Sequence, residues 1–443
     1  MLVLYVLVLL LIVYLSYKTS NGDYFNLNFI FLVGYLISAF CCIYNSSLWN
    51  VSIHLITLFI IVTGQIAFSL GTSLGNKTVT KTINNNSRQY KLYDIINDGS
   101  SNIKLVIIII FDLVIVFLLY RDIVRIANAN LVSWGNLFYN FRSNLGDDSL
   151  GARYSSVVNI GIRLTRSLAY IYLTIFIGNI FNPENRRKRK GLIRYLIPVI
   201  IYSIQVMLQG YRIQLIAMVV ATLFLSFYFF QTNMGWSGRV NFAVIRKLLI
   251  IFFLICVGFY YSKFLIGKLQ ESNGVVYYVT NYLGGSLQLF DMYLQKPINN
   301  GHETFAAMVD SLRGAFGLFK NTATVIQHEY RSAITGIYIG NVYTGFRNYY
   351  NDFGIIGTVV LSFLLGYIFS HWYKRIKVRQ KWTVYNLFEL MFYASLLYTI
   401  VFHFFTDYFY ALIGLGWIFN AFLFWLLTIL IFGTKISFGG RKL

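Results

Sequence analysis

The sequence predicts an all-α integral membrane protein with about eleven (10–12) transmembrane helices and one large external loop containing helical segments. Three observations carry that expectation. The first is composition: 57% of the 443 residues are hydrophobic and only 12% are charged. A soluble surface needs far more charge than this. The second is the form of the apolar segments, which are continuous, as in 105–119 and 248–259, rather than alternating as in a membrane barrel. The third is their recurrence along the whole chain. In hydrocarbon every backbone N–H and C=O needs a partner within the chain, and a helix supplies it within one segment.

The candidate spans are 2–17, 27–45, 51–71, 103–120, 157–181, 192–209, 213–231, 247–265, 353–372, 384–405 and 409–432. The first lacks a basic leader and a small-residue cleavage site, so it reads as a retained helix and not as a signal peptide. Cys41, Cys42 and Cys256 fall within spans and offer neither a disulfide framework nor zinc spacing.

Charge orients the spans. The net charge of +21 would point to nucleic acid in a soluble chain. In a membrane chain it points first to basic loops kept in the cytoplasm, and no nucleic-acid partner is expected. The clusters Arg186-Arg187-Lys188-Arg189-Lys190, Arg239/Arg246/Lys247 and Lys374/Arg375/Lys377/Arg379/Lys381 alternate consistently with the spans. They place the N-terminus outside and the tail with Lys435, Arg441 and Lys442 inside. The chain then reads as one polytopic domain, 1–443, with a flexible cytoplasmic loop at 72–102 and external loops at 121–156 and 266–352. The last is too long for an idle connection.

The outer segments hold more basic residues than topology requires: Arg121, Arg125, Arg142 and Arg153 in one, and Lys268, Lys296, Arg313, Lys320, Arg331 and Arg347 in the other. Arg212 follows a tight turn at 209–212. Arg163 and Arg166 are three apart and share a helix face. An arginine at a helix centre costs roughly 2.5–3.5 kcal/mol on insertion scales, so it pairs, snorkels or binds something. Its forked donors suit phosphate oxygens. Snorkelling, or a pair with Asp112 in the fourth span, is the structural alternative for Arg163 and Arg166.

Proton acceptors on the outer side are His302, Glu303, His328, Glu329, Asp352, His403 and Asp407. Neither His-Glu pair completes the zinc motif His-Glu-x-x-His, so no metal site is expected. Asp352 opens the ninth span and also reads as a helix cap. Tyrosines 277, 278, 282, 293, 338, 343, 349 and 350 crowd the larger outer loop. They suit sugar faces, and those beside helices also suit the interfacial aromatic belt.

Residues 340–357, with 282–285, Phe290-Asp291, 301–305 and the turn ending at Arg212, resemble the oligosaccharide repeat-unit polymerases of the O-antigen and capsule type (Wzy-type). The motif likeness covers roughly 210–366, and the likeness in architecture covers most of the chain. The resemblance implies a bacterial cell-membrane glycosyltransferase without cofactor or metal. A growing glycan on polyprenyl pyrophosphate would pass to the far end of a lipid-linked repeat unit. It implies Arg212, Arg347, Arg163 and Arg166 at the pyrophosphate, and Glu303, Asp352 and His302 as base or orienting groups. A chain-length regulator is an expected partner. The rival readings are a flippase or transporter of lipid-linked oligosaccharide, an O-antigen ligase-like enzyme, and a structural or signalling membrane protein. The chain shows no internal repeat of the kind transporters carry, while Asp112 favours that rival.

Overall fold

A computed structural model describes residues 1–20, 23–50, 53–78, 88–127, 134–146, 153–185, 189–236, 261, 274–298, 305, 328–379 and 381–433. The longer helices are α1 (Leu2–Thr19), α2 (Leu27–Tyr44), α3 (Leu55–Lys77), α4 (Arg88–Asp98), α5 (Asn102–Ile126), α6 (Trp134–Gly146), α7 (Ser156–Phe181), α8 (Ile197–Gln209), α9 (Arg212–Asn233), α10 (Val275–Gln295), α11 (Phe346–Lys377), α12 (Val384–Leu396) and α13 (Leu415–Phe432). Among the described residues, nine helical segments are long and apolar enough to cross a membrane, and α1 is a shorter apolar helix. The chain is an all-α, multi-pass membrane protein. These segments fall on the expected spans. The span at 247–265 lies outside the described residues, apart from Tyr261. The strands found are β1 (Arg331–Ser332) and β2 (Tyr338–Gly340), an antiparallel pair.

The helices divide between two compact units. The first comprises Met1–Thr82, Ser272–Val378 and Tyr398–Ile418. Its spine is α3 against α11, and glycine makes the approach possible. A Cβ on Gly71 would collide with the Phe363 carbonyl, one on Gly75 would lie 2.6 Å from the Tyr367 carbonyl oxygen, and one on Gly366 would strike the backbone of Phe68. Between apolar lipid and apolar helix there is no hydrophobic gain, so close backbone packing through small residues supplies the attraction. The order of these contacts makes α3 and α11 parallel. The Tyr5–Gln65 hydrogen bond (2.7 Å) places the start of α1 beside the first half of α3.

That parallel arrangement gives the first unit two chemically different ends. The last turns of α1, α3 and α11 bring Lys18, Lys77, Lys374, Arg375 and Lys377 to one end. There Lys377 donates to Asp23 (2.5 Å), which also accepts from the Tyr373 hydroxyl. Met1, His54 and the start of α11 lie at the other end. Helix α10, from the expected external loop, packs on α2 so closely that a Gly284 Cβ would sit 2.5 Å from the Cys42 nitrogen. Residues 275–295 are thus part of the helical packing and not a loose excursion. Gly354, with φ 62° and ψ −152°, kinks α11. Only glycine adopts that conformation readily, and the kink turns residues 346–353 out of line with the spanning part.

The second unit comprises Ile83–Glu271, Arg379–Leu397 and Phe419–Leu443. Two expected loops are partly helical here. Residues 88–98 of the 72–102 segment form α4, with Leu92 and Ile96 fully buried and the Tyr93 hydroxyl on Asn233 (2.7 Å). Within 121–156, α6 packs Phe141 and Leu137 on Leu119, Ile123 and Val158. Apolar residues at helical spacing in both segments were outweighed by their polar neighbours in a span-length reading.

Candidate functional site

The polar end of the first unit concentrates its buried ionisable groups. Arg347 stands in the first turn of α11 and is only 2% exposed. Its guanidinium lies 4.6 Å and 4.5 Å from the ring centres of Tyr293 and Tyr343. It donates to Glu329 at 2.6 Å and meets Nδ1 of His328. Arg347 Nε has no hydrogen-bond partner among the described residues. Glu329 also accepts from Arg331 (2.9 Å). Arg331 reaches on to the carbonyls of Met292 (2.5 Å) and Lys296 (2.7 Å). The Met292 carbonyl also accepts the Lys296 backbone N–H (3.1 Å), and the arginine adds its own bonds at that end of α10. Burial pushes the Glu329 carboxyl up, but the Arg347 guanidinium and the Arg331 bonds hold it below its ordinary value. Burial and the same guanidinium press the His328 imidazole down to about 4. Glu329 is therefore a carboxylate and His328 a neutral ring at neutral pH.

Beside this cluster, Asp352 accepts from the Phe305 backbone N–H (3.1 Å) and from Asn351 (3.1 Å), and Asn351 accepts from the Tyr293 hydroxyl (2.6 Å). Asp407 accepts from the backbone of Phe409 (2.9 Å), from Tyr349 (3.1 Å) and from Asn348 (3.3 Å). Burial nevertheless raises its carboxyl to about 6. His403 lies in an aromatic nest of Phe31, Tyr349 and Phe346, with Nδ1 2.9 Å from the Tyr35 hydroxyl. Burial takes it down to about 3.

A second arrangement at the same end joins α3 to α10. Asp291, 2% exposed, accepts the His54 backbone N–H (2.8 Å) and the Thr57 hydroxyl (2.5 Å) on one oxygen. Its other oxygen faces Nδ1 of His54 at 2.9 Å. Leu55 and Ile56, the next residues, line an apolar groove of about 670 Å³ with Met1, Leu4, Tyr5 and Val8.

In the second unit, Arg212 opens α9 directly after Gly210, whose φ of 75° suits the left-handed turn. The Arg142 guanidinium lies against Gly210, so a Cβ there would strike it. Burial, and the neighbouring charge of Arg212, lower Arg142 to about 10. The Arg142 guanidinium is thus seated at the α8–α9 turn, two residues before Arg212. Arg163 donates to Asn420 (2.9 Å) and stands over the Phe419 ring at 5.9 Å. Asp112 is fully buried in α5. Neither of its oxygens has a hydrogen-bond partner among the described residues, so the pair with Arg163 or Arg166 weighed from the sequence is not made.

Of the sequence-selected residues, Arg347 and Asp352 lie together in the first unit, and Arg212, Arg163 and Arg166 belong to the second. Arg347 is clamped by Glu329 and two tyrosines. One expectation changes. Asp352 lies in the second turn of α11, after the helix start at Phe346, and holds the backbone of Phe305 instead of capping the helix. His302 and Glu303 lie outside the described residues. Sequence reasoning passed over Arg142, His54 and Asp291 as site residues. His54 was hidden inside an expected span, and Arg142 among solvated loop charges. No family model, curated protein or solved structure matches the chain.

Proposed function

We propose that the chain is an oligosaccharide repeat-unit polymerase of a bacterial cell membrane, moving a growing glycan from polyprenyl pyrophosphate to a lipid-linked repeat unit. The observation that carries this reading is the Arg142 guanidinium seated against Gly210 at the α8–α9 turn, two residues before Arg212. A diphosphate leaving group gains one negative charge as its bond to the anomeric carbon breaks. Forked cations set beside it lower that barrier without a metal. Arg163 and Arg166, further along α7, are the expected second set.

Polarity of the first unit supports the orientation. Its basic end carries Lys18, Lys77, Lys374, Arg375 and Lys377. By the rule that basic flanks stay cytoplasmic, the end with Glu329, Asp352 and Asp407 faces outward, where lipid-linked glycans are extended. Tyr293 and Tyr343 at that end are buried beneath Arg347, which lies over both rings. The buried carboxyl of Asp112 favours a second reading, a transporter of the same lipid-linked glycan, because an unpaired intramembrane acid is a usual mark of a proton path.

Arg142→Ala and Arg212→Ala separate the two. Under the polymerase reading each inserts normally and leaves single lipid-linked repeats in place of a ladder of chain lengths on a gel. Arg212→Lys restores part of the ladder, because an ammonium lacks the fork. A full ladder from a well-expressed Arg142→Ala/Arg212→Ala double variant refutes the role. A transporter defect instead strands single repeats on the cytoplasmic face.

A further inference from the structure

We infer that Asp112 is a proton-binding site inside the membrane-spanning part of the second unit, exchanging its proton along Gln205 and Gln209 with the α8–α9 turn. The site stands on its own observations and holds whether the chain joins glycans or moves them. Asp112 is the eleventh of the 25 residues of α5, so it lies near the middle of a span. It is fully buried, and neither carboxyl oxygen has a hydrogen-bond partner among the described residues. An ionised carboxylate without a partner is costly at that depth. Such a group carries a proton or binds an ion.

The surroundings choose the proton. Helix α7 runs antiparallel to α5: a Cβ on Gly161 would lie 2.5 Å from Ile115, and Asn179 reaches the Ser100 hydroxyl at 3.2 Å. That register sets Thr165 level with Asp112. The Thr165 hydroxyl donates to Oε1 of Gln205 (2.7 Å), and the Gln205 amide nitrogen faces the Asp112 backbone carbonyl (3.5 Å). Thr165 and Gln205 are fully buried too. The amide thus turns N–H groups, not oxygen, toward α5. A hard metal cation needs several oxygens, and among the described residues no three acidic, histidine or cysteine side chains gather. The titratable side chains on α7 and α8 are Arg163, Arg166, Tyr170, Tyr172 and Tyr202, and none bonds the Asp112 carboxyl. Helix α6 brings Tyr139 and Arg142 to the far end of α5, beyond Leu119, and α13 carries no titratable side chain.

A polar line leads out of the site. Gln209 stands four residues after Gln205 on the same face of α8. It donates to the Gln205 backbone carbonyl (3.2 Å), and Gly210 follows with the Arg142 guanidinium against it. Exchange moves one proton between the Asp112 carboxyl and water. The carboxyl O–H bond breaks, its electron pair stays on the carboxylate, and the proton leaves as hydronium at the turn. The two glutamine amides line this route and do not titrate.

The test is infrared spectroscopy of the full chain in proteoliposomes. Wild type minus Asp112→Asn should show the C=O stretch of a protonated carboxyl at pH 7, where an ordinary aspartic acid is ionised. The band should shift on transfer to D2O. No band at pH 7, or a band that sodium chloride removes and choline chloride does not, overturns the proton assignment. A band that stays put in D2O marks a sealed acid and overturns the exchange. Gln205→Leu/Gln209→Leu should slow the shift severalfold, and an unchanged rate in the folded double variant overturns the route. If Asp112→Asn does not fold, the unmodified chain answers. Dicyclohexylcarbodiimide dissolves in the bilayer and adds to protonated carboxyls, so mass spectrometry should find it on Asp112 at pH 7 and not at pH 10. Equal labelling at both pH values, or none at either, overturns the assignment. None of these outcomes bears on the polymerase reading, which the glycan ladder tests separately.

Discussion

At the scale of single residues, the polar end of the first unit is governed by what burial does to charge. Arg347 is tolerable at 2% exposure because Glu329 neutralises it and two tyrosine faces receive it. Glu329→Gln removes the anion and leaves the cation. Breaking such a pair costs about 3–5 kcal/mol, well above the worth of a surface ion pair, so the variant in detergent should melt at a distinctly lower temperature. Replacing Arg347 by Met, which removes the cation and keeps bulk, should cost less with Glu329→Gln present than alone, since the two share one partnership. His328 adds a pH dependence. Its folded value of about 4 lies below the ordinary 6.5, so the folded state binds fewer protons between those limits. Its contribution is whole above pH 6.5 and is lost as pH falls through about 4. Asp407, raised to about 6, has the opposite sign: its contribution is present below 3.8 and is lost as pH rises through 6. Comparing wild type with His328→Gln isolates the first effect. The melting temperature of the variant should fall less than that of wild type between pH 7 and pH 4.5, and equal falls would show that His328 does not titrate against Arg347.

At the scale of elements, close helix contact decides where the site residues stand. The α3–α11 seam depends on Gly71, Gly75 and Gly366, whose missing side chains let backbone meet backbone. Gly71→Leu should separate the helices, reduce the folded yield and lower the melting temperature, whereas Gly336→Ala, with open space around the Cβ but a φ of 79°, should cost only local turn strain. Protein recovered in monodisperse form after solubilisation reports both. The spans themselves were plain in the sequence, because membrane helices announce themselves by length and hydropathy. Helix α10 was placed in the large external loop, which was expected to contain helical segments but not to pack among the spans. Its asparagine, glutamine, aspartate and glycine residues lower its hydropathy, yet Gly284 lets it pack on α2 and Asp291 holds His54. Helix α6 escaped for the same reason: thirteen residues with polar spacing are too short to read as a span. The glycine at 354 was visible as a letter, but its positive φ and the kink it makes in α11 follow from packing, which one sequence does not display.

At the scale of the whole molecule, the spans assigned from hydropathy are present as helices wherever the chain is described, and the chain is a multi-pass membrane protein. The site was legible only in its chemistry. Surplus arginine outside the membrane pointed to an anion, and the turn before Arg212 carries the Arg142 guanidinium against Gly210. The seat of Arg142 beside that turn depended on a left-handed glycine at 210 that lets a side chain lie on the backbone. Arg347 was chosen by the same compositional argument and proved to be held by Glu329, because sequence shows a charge but not the carboxylate that meets it from 18 residues away. The central claim is that this chain alone lengthens a lipid-linked glycan. The most direct measurement supplies the purified protein, in proteoliposomes, with one polyprenyl-pyrophosphate-linked repeat unit and resolves the products by length. The account predicts a ladder of multiples, with released lipid pyrophosphate in proportion to the bonds formed, and single repeats only from Arg142→Ala/Arg212→Ala. Intact substrate moved across the bilayer without any bond formed would contradict it.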